Sequence, residues 1–309
     1  MSKERIVITG GNGFIGSNLV LSLLKKECFD IVVMDNKQSN NEKIKTFIGN
    51  FSDKEFISKI INEDDTVIHL ACTTVTHTAE NNRQTDIEDN IIGTINLLDV
   101  CVEKKVKKII FASSGGTVYG EITGDQPSKE TDCVHPVSAY GIMKVTVENY
   151  IKLYNKLYNL PYVIMRISNP YPRFQFSKSK PGVVDIFLDS FVNGREINVF
   201  GNGKSERDYI FIDDLIKFII SIIEKRKMNE TFNVGSGKST SIESLLKIVE
   251  SATDKKTKIN YMKSKNFEVE KVSLDINKAK KELGWQPEYT IEKGVMKAFS
   301  QLAEQNHVA

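Results

Sequence analysis

The sequence predicts an α/β protein built on a doubly wound parallel sheet, followed by a smaller mixed α/β lobe. Through the first half of the chain, short β-branched apolar runs alternate with amphipathic helical segments. The runs read RIVITG, DIVVMD, TVIHLA and KKIIFASS, and the segments between them carry apolar residues three and four positions apart. This alternation is typical of β-α-β units, whose binding crevice lies at the carboxyl ends of the strands.

The composition of the chain changes after PYVIMRISNPYPR, where a segment rich in Ser, Lys, Pro and Gly, expected to be a loop, occupies residues 174–182. We therefore expect a first domain over residues 1–168 and a second lobe over residues 169–309. The strand-helix-strand pattern of RDYIFIDDLIKFIISIIEK and ETFNVGS predicts that the chain returns to the first domain over about residues 208–235.

The composition excludes several classes of partner. Lys and Arg number 42 against 40 Asp and Glu, which gives no long-range attraction to nucleic acid or to an anionic membrane. No apolar run approaches the roughly 20 residues that span a bilayer, and MSKERIVITGG enters a strand without a signal region, which predicts a cytoplasmic protein. The four cysteines, Cys28, Cys72, Cys101 and Cys133, lie far apart without a CxxC pair, which disfavours a metal site and a disulfide framework.

The segment TGGNGFIG follows the first predicted strand and opens the first helix. Gly10, Gly13 and Gly16 are spaced three apart, and Gly11 with Gly13 and Gly16 also matches GxGxxG. Without side chains, such a loop lets backbone amides approach a pyrophosphate, whose charge the N-terminus of the helix favours. The segment therefore predicts a dinucleotide site on a Rossmann-type fold.

Asp35 ends the second predicted strand, about 20 residues after the glycine loop. A carboxylate at that position accepts hydrogen bonds from both hydroxyls of an adenosine ribose and repels a phosphate on that ribose. We therefore expect NAD rather than NADP. Downstream, the segment GNFSD offers Asn50 and Phe51 near the adenine.

The segment GSGKST at residues 235–240 resembles the phosphate loop of nucleoside triphosphatases, but that motif requires a glycine where Phe232 stands. We instead expect the residues from Ser239 to Ser241 to cap the helix SIESLLKIVE. ATP hydrolysis is therefore not expected.

The amphipathic segment SAYGIMKVTVENYIKLY places Tyr140 and Lys144 four residues apart, on one face of a helix. A phenol has a pKa of about 10 and is a poor base at neutral pH unless a nearby cation stabilises the phenolate. Lys144 and a positively charged nicotinamide ring would supply that stabilisation. Tyr140 could then take the proton of a hydroxyl while hydride leaves the same carbon for NAD⁺, or return the proton in a reduction.

Nine segments of the sequence resemble one family, the extended short-chain dehydrogenase/reductases that modify nucleotide sugars, typified by UDP-glucose 4-epimerase. In the family's order, the segments are TGGNGFIG, IHLA, DNIIGTINLL, SSGGTVYG, SAYGIMK, RISNPY, RDYIFIDD, FNVGSG and DINKAKKELGW. They span nearly the whole chain. The resemblance implies NAD chemistry at one carbon of a nucleotide-activated hexose.

The resemblance implies a role for each matching position. Asn169 in ISNP and Arg207 in ERDYI match positions that contact the diphosphate of the substrate. Lys265 and Glu268 stand where many relatives carry an Arg and an Asp for the phosphate and the nucleoside ribose. The expected cofactor-binding positions are Gly10, Gly13, Phe14, Ile15, Gly16, Asp35, Asn36, Asn50, Phe51, Leu70, Ala71, Asn90, Ser113, Tyr140 and Lys144.

The loop SSGGTVYG departs from the family, in which the third residue is a serine whose hydroxyl binds the oxygen at C4 of the sugar. Aligned without a gap, that serine corresponds to Gly115, so Gly115 and Gly116 are expected to widen the floor of the sugar site. Thr117 and Ser114 offer the replacement hydroxyls. Because Gly116 and Thr117 also stand where 4,6-dehydratases carry their Asp and Glu, dehydration is not expected.

Three functions remain open at this point. A UDP-sugar 4-epimerase, on UDP-glucose or UDP-galactose or on an N-acetylhexosamine nucleotide, would return the hydride to the opposite face of C4. A 4-keto reductase or 4-dehydrogenase would transfer hydride once, for example with a dTDP- or GDP-4-keto-6-deoxy sugar, and a scaffold that binds NAD would not turn over at all. Val272 stands where the epimerases limit the substituent at C2 of the sugar, and its small side chain leaves space for an N-acetyl group.

The resemblance also implies a homodimer, in which two helices of each subunit form a four-helix bundle. The helices would be TDIEDNIIGTINLLDVCVEKK and SAYGIMKVTVENYIKLYNKLY, whose apolar patterning on two sides permits such packing. The expected partners are thus a second copy of the chain and a nucleotide-sugar substrate.

Overall fold

The structure is a computed structural model that describes residues 3–39, 41, 44–121, 124, 126–173, 181–225, 227–263 and 269–308. Its strands are, in chain order, β1 (Glu4–Thr9), β2 (Phe29–Asp35), β3 (Lys45–Ile48), β4 (Thr66–His69), β5 (Lys108–Ser114), β6 (Tyr162–Ile167), β7 (Asn169–Tyr171), β8 (Ile197–Phe200), β9 (Glu206–Phe211), β10 (Glu230–Val234), β11 (Ser239–Ser241) and β12 (Ile259–Met262). Its helices are α1 (Phe14–Leu24), α2 (Lys54–Ser58), α3 (Thr76–Asn81), α4 (Arg83–Asp86), α5 (Gly93–Glu103), α6 (Ala139–Tyr158), α7 (Val183–Asn193), α8 (Ile212–Glu224), α9 (Ile242–Thr253), α10 (Asn277–Leu283) and α11 (Ile291–Val308). A π-helical stretch, Ile87–Ile92, joins α4 to α5.

A seven-stranded parallel sheet forms the centre of the molecule, in the order β3-β2-β1-β4-β5-β6-β10. Every neighbouring pair in it is parallel, so the carboxyl ends of all its strands lie at one edge. The order reverses between β1 and β4, which is the switch point where the crevice of a doubly wound sheet opens. The predicted fold class is thereby confirmed.

The two faces of this sheet carry separate apolar cores. Side chains alternate along β1, so Ile6 and Ile8 lie in one core and Val7 lies in the other. The first core contains the buried faces of α1 and α8, and the second contains those of α5 and α6. Burial on both faces explains why the central strands read as continuous apolar runs in the sequence.

The remaining strands form two small sheets. One has the order β11-β9-β7, and the other pairs β12 with β8. Of the predicted return to the first domain, β10 lies at the edge of the central sheet beside β6, whereas β9 belongs to the three-stranded sheet. The domain boundary at residue 168 stays a prediction. Within the described ranges, no helix has both the length and the apolar character needed to cross a membrane.

A buried ion pair joins the central sheet to α6. Arg166 of β6 donates hydrogen bonds from Nε and Nη2 to the Glu148 carboxylate of α6 at distances of 2.7 to 3.2 Å, and both side chains are almost fully buried. Ser113 of β5 also donates to Glu148, at 2.5 Å. Burial alone would lower the pKa of Arg166, but the hydrogen bonds and charge of Glu148 outweigh it and raise the pKa above its ordinary value. The pair thus fixes α6 against the carboxyl ends of β5 and β6.

We expect Arg166→Met to destabilise the protein by about 3–5 kcal/mol, because it leaves the Glu148 carboxylate buried without its partner. The double variant Arg166→Met/Glu148→Gln removes that uncompensated charge and recovers part of the loss. Urea unfolding followed by circular dichroism measures both changes. Lys26→Met, which breaks the exposed ion pair with Glu224, is the control and leaves the unfolding transition unchanged. A double variant less stable than Arg166→Met would contradict this account.

Candidate active site

The glycine loop after β1 forms a cradle that side chains would fill. Gly10 has a φ of +70°, and a Cβ there would lie 2.7 Å from the backbone nitrogen of Ala71. A Cβ on Gly16 would collide with the carbonyl oxygen of Gly10, so α1 begins directly against the loop. Gly13 is the N-cap residue of α1, and no side chain caps this helix. The first backbone amides of α1 are therefore available to an external anion.

Asp35 lies at the end of β2, beside this loop. Its carboxylate accepts hydrogen bonds from the backbone amides of Asn12, at 3.0 Å, and of Lys37, at 3.2 Å. Asn36 is exposed next to it. The carboxylate is thus held at the rim of the glycine loop, where a ribose is recognised in dinucleotide sites.

The loop after β3 lies next to Asp35, because Gly49 donates a backbone hydrogen bond to the Asp35 carbonyl at 3.0 Å. Asn50 is exposed on this loop. The Phe51 ring is buried against His69, with ring centroids 5.1 Å apart. Asn50 therefore offers the accessible polar group, while Phe51 packs beneath it.

Asn90 lies in the π-helical stretch, and its buried amide forms hydrogen bonds within the protein. Its oxygen accepts from the backbone amide of Thr73 at 3.0 Å, and its nitrogen donates to Asp86 at 2.9 Å and to Thr74 at 3.1 Å. These bonds hold the loop that follows Ala71. The Asn90 amide is thus hydrogen-bonded within the protein, and the cofactor contact that the resemblance implies for Asn90 stays a prediction.

Tyr140 and Lys144 meet at the start of α6, as their spacing predicts. Ser138 caps this helix by accepting a hydrogen bond from the backbone amide of Gly141 at 3.1 Å. The Lys144 ammonium lies 5.4 Å from the centre of the Tyr140 ring and donates to the carbonyl of Ala112, near the end of β5, at 2.9 Å. The pair therefore faces the carboxyl edge of the central sheet.

Burial and nearby charges set the protonation of this pair. Burial raises the pKa of the Tyr140 phenol, and the charge of Lys144 acts in the lowering direction. Burial alone would lower the pKa of Lys144, but the neighbouring Cys72, Tyr140 and Asp86 groups outweigh it, and the pKa is raised. At neutral pH the phenol is therefore protonated and the amine is charged. Tyr140 needs further positive charge nearby before it can act as a base.

Tyr140 and Lys144 line a cavity of 690 Å³ that extends from the carboxyl edge of the central sheet to β8 and β9. A cavity of this size accommodates a small organic ligand. The wall of the cavity combines predicted cofactor-binding, catalytic and substrate-binding residues. Besides the pair itself, they are Ile15, Leu70, Ser113, Ser114, Gly116, Thr117, Asn169 and Arg207.

The two glycines of SSGGTVYG have different surroundings. Gly115 does not line the cavity, since a Cβ there would lie 2.6 Å from the Leu274 side chain and 2.9 Å from the carbonyl oxygen of Arg166. Gly116 does line it, and a Cβ there would lie 3.8 Å from the side chain of Asn169. The expectation that Gly115 widens the sugar site is therefore wrong, because its missing side chain makes room for Leu274. Of the two glycines, Gly116 is the one that lines the cavity.

The hydroxyls of Ser114 and Thr117 both belong to the cavity wall. The Ser114 hydroxyl lies 3.9 Å from the position of a Cβ on Gly116. The Thr117 hydroxyl reaches the Ser114 carbonyl only at 3.5 Å, the outer limit of a hydrogen bond. Within the part of the chain that the structure describes, neither hydroxyl has a strong hydrogen bond to the protein, so both can serve a ligand.

Asn169 and Arg207 lie on β7 and β9, which pair in parallel. The Asn169 amide donates to the Asp208 carbonyl at 2.8 Å, and Arg207 donates to the Glu206 carbonyl at 2.9 Å. Each side chain has further N–H groups and lines the cavity. The two residues can therefore bind a phosphate together.

Three further positions are predicted for the substrate site, namely Lys265, Glu268 and Val272. Lys265 and Glu268 lie outside the described residues. Val272 is buried but does not line the cavity, whereas Val269 does. The position expected to limit the sugar substituent is therefore not at Val272.

The segment GSGKST is anchored from within the protein. The buried Asp208 carboxylate accepts hydrogen bonds from the backbone amides of Ser236, at 2.7 Å, and Gly237, at 3.1 Å. A phosphate loop would direct such amides at its ligand. Ser241 is the N-cap residue of α9 and accepts from the backbone amide of Ser244 at 3.0 Å, which confirms the predicted cap.

Sequence reasoning missed several polar side chains of the cavity wall, among them Cys72, Arg173 and Tyr209. Cys72 interacts electrostatically with Tyr140 and Lys144. Arg173 and Tyr209 also line the cavity, and within the described residues the Arg173 Nε and the Tyr209 hydroxyl are buried without a hydrogen-bond partner. Alternation along a strand could have found Tyr209, which lies two residues after Arg207. No comparable signal points to Arg173 or Cys72.

One backbone edge also faces the cavity. Ile197 and Gly201 donate hydrogen bonds at 2.9 Å to the neighbouring segment that contains β12. Because backbone groups alternate sides along a strand, the N–H and C=O of Asn198 point away from β12. Asn198 lines the cavity. It therefore presents a donor and an acceptor side by side at the cavity wall.

The site fits NAD. The glycine cradle admits a diphosphate at the N-terminus of α1, and Asp35 stands at the rim where an adenosine ribose binds. Tyr140 and Lys144 lie farther along the same carboxyl edge, in the cavity.

Comparison with known proteins agrees with a site for NAD. The model of the NAD dependent epimerase/dehydratase family matches residues 6–235. An Escherichia coli dTDP-4-dehydro-6-deoxyglucose reductase is 33% identical over 97% of this chain and 98% of its own length. The UDP-glucose 4-epimerase of Thermotoga maritima, solved with UDP-glucose, is 33% identical, with a TM-score of 0.91 over 98% of this chain and 99% of that one. The UDP-glucose 4-epimerase of Thermus thermophilus, solved with NAD, is 27% identical, with a TM-score of 0.88 over 96% of this chain and 99% of that one.

The packing of the two glycines predicts that adding one methyl group has different effects at the two positions. We expect Gly115→Ala to lower the stability of the protein by about 1–3 kcal/mol, because the new Cβ meets Leu274 and a backbone carbonyl. Gly116→Ala is the matched control, with no atom closer than 3.8 Å, and leaves the thermal midpoint unchanged. Thermal unfolding followed by circular dichroism compares the two. Equal losses of stability in both variants would contradict the described packing.

Proposed function

The chain belongs to the NAD dependent epimerase/dehydratase family and its cofactor is NAD, and on that premise we propose that it is a 4-epimerase of a UDP-hexose. The observation that carries the proposal is a single cavity. Tyr140 and Lys144 line it together with the hydroxyls of Ser114 and Thr117, and the same cavity reaches Arg207. Groups for proton transfer and a cation for a diphosphate therefore serve one ligand. The hexose is glucose or galactose, or an N-acetyl derivative of either.

Tyr140 exchanges the proton in this proposal. NAD supplies a hydride acceptor that later returns the same hydride. The Lys144 ammonium and the positive charge of the oxidised nicotinamide favour the phenolate, against the effect of burial. Tyr140 takes the proton of the C4 hydroxyl as the C4–H bond gives up its hydride, and C4 becomes a ketone. Ser114 or Thr117 donates a hydrogen bond to the oxygen at C4.

Inversion requires the 4-keto sugar to present its other face before the hydride returns. Gly116 lines the cavity, and its lack of a side chain leaves space for the sugar beside Asn169 and Ser114. Asn169 and Arg207 hold the diphosphate in the meantime through charge-assisted hydrogen bonds. Hydride then returns to the opposite face of C4 and the proton returns from Tyr140, which gives the C4 epimer with no net oxidation.

We assign uracil as the base of the nucleotide. The backbone N–H and C=O of Asn198 point away from β12, at the cavity wall. A pyrimidine-2,4-dione presents an N–H donor between two carbonyl acceptors, which a neighbouring backbone donor and acceptor can pair with. Thymine has the same edge, so both UDP and dTDP sugars belong in the test.

A one-way 4-keto reductase is the second candidate, because the Escherichia coli dTDP-4-dehydro-6-deoxyglucose reductase matches almost the whole chain. Tyr140 would then donate its proton to the ketone oxygen as hydride reaches C4. The two functions differ in stoichiometry. An epimerase regenerates its cofactor in each turnover, whereas a reductase consumes one NADH for each sugar.

A panel of UDP-, dTDP- and GDP-hexoses, with their 4-keto forms, tests the proposal. Sugar stereochemistry is followed by nuclear magnetic resonance, and NADH by its absorbance. We expect inversion at C4 of a UDP-hexose without net change in NADH. Tyr140→Phe lowers kcat by about 10²–10⁴-fold while NAD stays bound, because proton transfer is lost.

The matched control is Tyr158→Phe, an exposed tyrosine on the same helix, which leaves kcat unchanged. Consumption of one NADH for each sugar converted would contradict the epimerase and favour the 4-keto reductase. No reaction with any sugar, or full activity of Tyr140→Phe, would refute chemistry at C4 by this residue.

We also propose that the protein is a homodimer that packs through α5 and α6. Ile142, Leu153 and Leu157 are exposed on α6 and lie within about 60° of one another around the helix axis. Ile87 and Ile92 are exposed at the ends of the π-helical stretch that leads into α5. Exposed apolar side chains on both helical segments support a four-helix bundle between two copies.

Leu153→Glu/Leu157→Glu tests the dimer. Light scattering after gel filtration gives the mass of two chains for the natural sequence and of one chain for this variant, because each substitution places charge in the bundle. Leu21→Glu changes an exposed leucine on α1 and is the control, with the mass of two chains retained. A single-chain mass for the natural sequence at micromolar concentration would overturn the dimer.

We further propose a cytoplasmic location. All four cysteines are free, and the thiols of Cys28 and Cys133 are exposed. Free surface thiols are typical of a reducing compartment.

A further inference from the structure

Arg173 joins two parts of the fold at the glycine loop. Its backbone N–H donates a hydrogen bond at 2.7 Å to Asp185, in the first turn of α7. Its guanidinium carbon lies 5.2 Å from the centre of the Phe14 ring, and Phe14 is the first residue of α1. The side chain of Arg173 therefore reaches from the segment between β7 and α7 to the N-terminus of α1.

The guanidinium of Arg173 has an unused donor. Its Nε is buried and, among the residues that the structure describes, has no hydrogen-bond partner. Burial lowers the pKa of Arg173, and the nearby Asp185 and Tyr140 act in the opposite direction. A buried N–H without an acceptor is costly, and Arg173 also lines the cavity. A ligand oxygen is therefore expected at this Nε.

The glycine cradle lacks a cation of its own. No residue of TGGNGFIG is basic, and the N-terminus of a helix contributes about half an elementary charge, against the two negative charges of a diphosphate. Among the described residues of the cavity wall, the cations are Lys144, Arg173 and Arg207. Lys144 donates to Ala112 beside Tyr140, and Arg207 lies on β9. Arg173 is the cation of this set that contacts α1.

We propose that Arg173 binds the diphosphate of NAD, as a cation that the segment between β7 and α7 supplies to the cofactor. Its Nε–H and one further guanidinium N–H donate to phosphate oxygens, which is the geometry that arginine favours. The positive charge of Arg173 also favours the phenolate of Tyr140. The inference rests on NAD as the cofactor and does not depend on the proposed reaction at C4.

Binding measured without sugar tests this role. Isothermal titration calorimetry with NAD, with UDP and with adenosine is carried out on protein freed of nucleotide. We expect Arg173→Met to weaken NAD binding about 10–100-fold, as for the loss of charge-assisted hydrogen bonds. Arg173→Lys, which keeps the charge but loses the planar fork, weakens it less. Binding of adenosine and of UDP is unchanged in both variants.

The matched control is Arg195→Met, which removes an exposed arginine that pairs with Asp189 and leaves NAD binding unchanged. Circular dichroism confirms the fold of each variant, and Arg173→Gln replaces Arg173→Met if the latter does not fold. Natural affinity for NAD in the Met or Gln variant would overturn the proposal. Weaker UDP binding with natural NAD binding would also overturn it and would assign Arg173 to the substrate.

Discussion

The buried charge of Lys144 is the constraint around which the site is organised. Lys144 is only 4% exposed, so its ammonium needs close partners, since an unpaired buried charge would lose its proton. The Ala112 carbonyl and the Tyr140 phenol provide them, on one side from the central sheet and on the other from α6. The position of α6 in turn depends on the buried pair of Glu148 and Arg166. The Lys144 ammonium thus relies on the packing of α6 against the central sheet.

The same helix ties consecutive residues of β5 in place. Lys144 binds the carbonyl of Ala112, and Glu148, one turn later, binds the hydroxyl of Ser113. Two adjacent residues of the strand are therefore held by two groups of one helix, and the loop that follows starts from a fixed point. The position of the Ser114 hydroxyl relative to Tyr140 follows from these bonds. A polar core contact that contributes to stability hence also sets the geometry of the site.

Local spacing was enough to predict the parallel sheet, the glycine cradle and the pairing of Tyr140 with Lys144, because strand and helix periods determine these directly. Prediction failed where the role of a residue depends on a distant neighbour. Gly115 was expected to widen the sugar site. A Cβ at this position would instead meet the side chain of Leu274, which follows much later in the sequence. Arg173 was missed for the same reason, since its position on Phe14 appears only once the chain is folded. The hydrogen bonds of Asn90 likewise depend on tertiary structure.

In the proposed reaction, the distribution of charge explains how a ketone could turn over without leaving the protein. Cations stand where diphosphates are expected, whereas the wall beside the sugar offers the neutral hydroxyls of Ser114 and Thr117 and the bare backbone of Gly116. Charge-assisted hydrogen bonds are about twice as strong as neutral ones, so the diphosphate stays bound while the sugar exchanges its weaker bonds. A Cβ at position 115 would meet the Leu274 side chain and the Arg166 carbonyl, so a serine does not fit this packing. In the proposed reaction, the hydroxyls of Ser114 and Thr117 take the role of the serine that the resemblance implies at position 115.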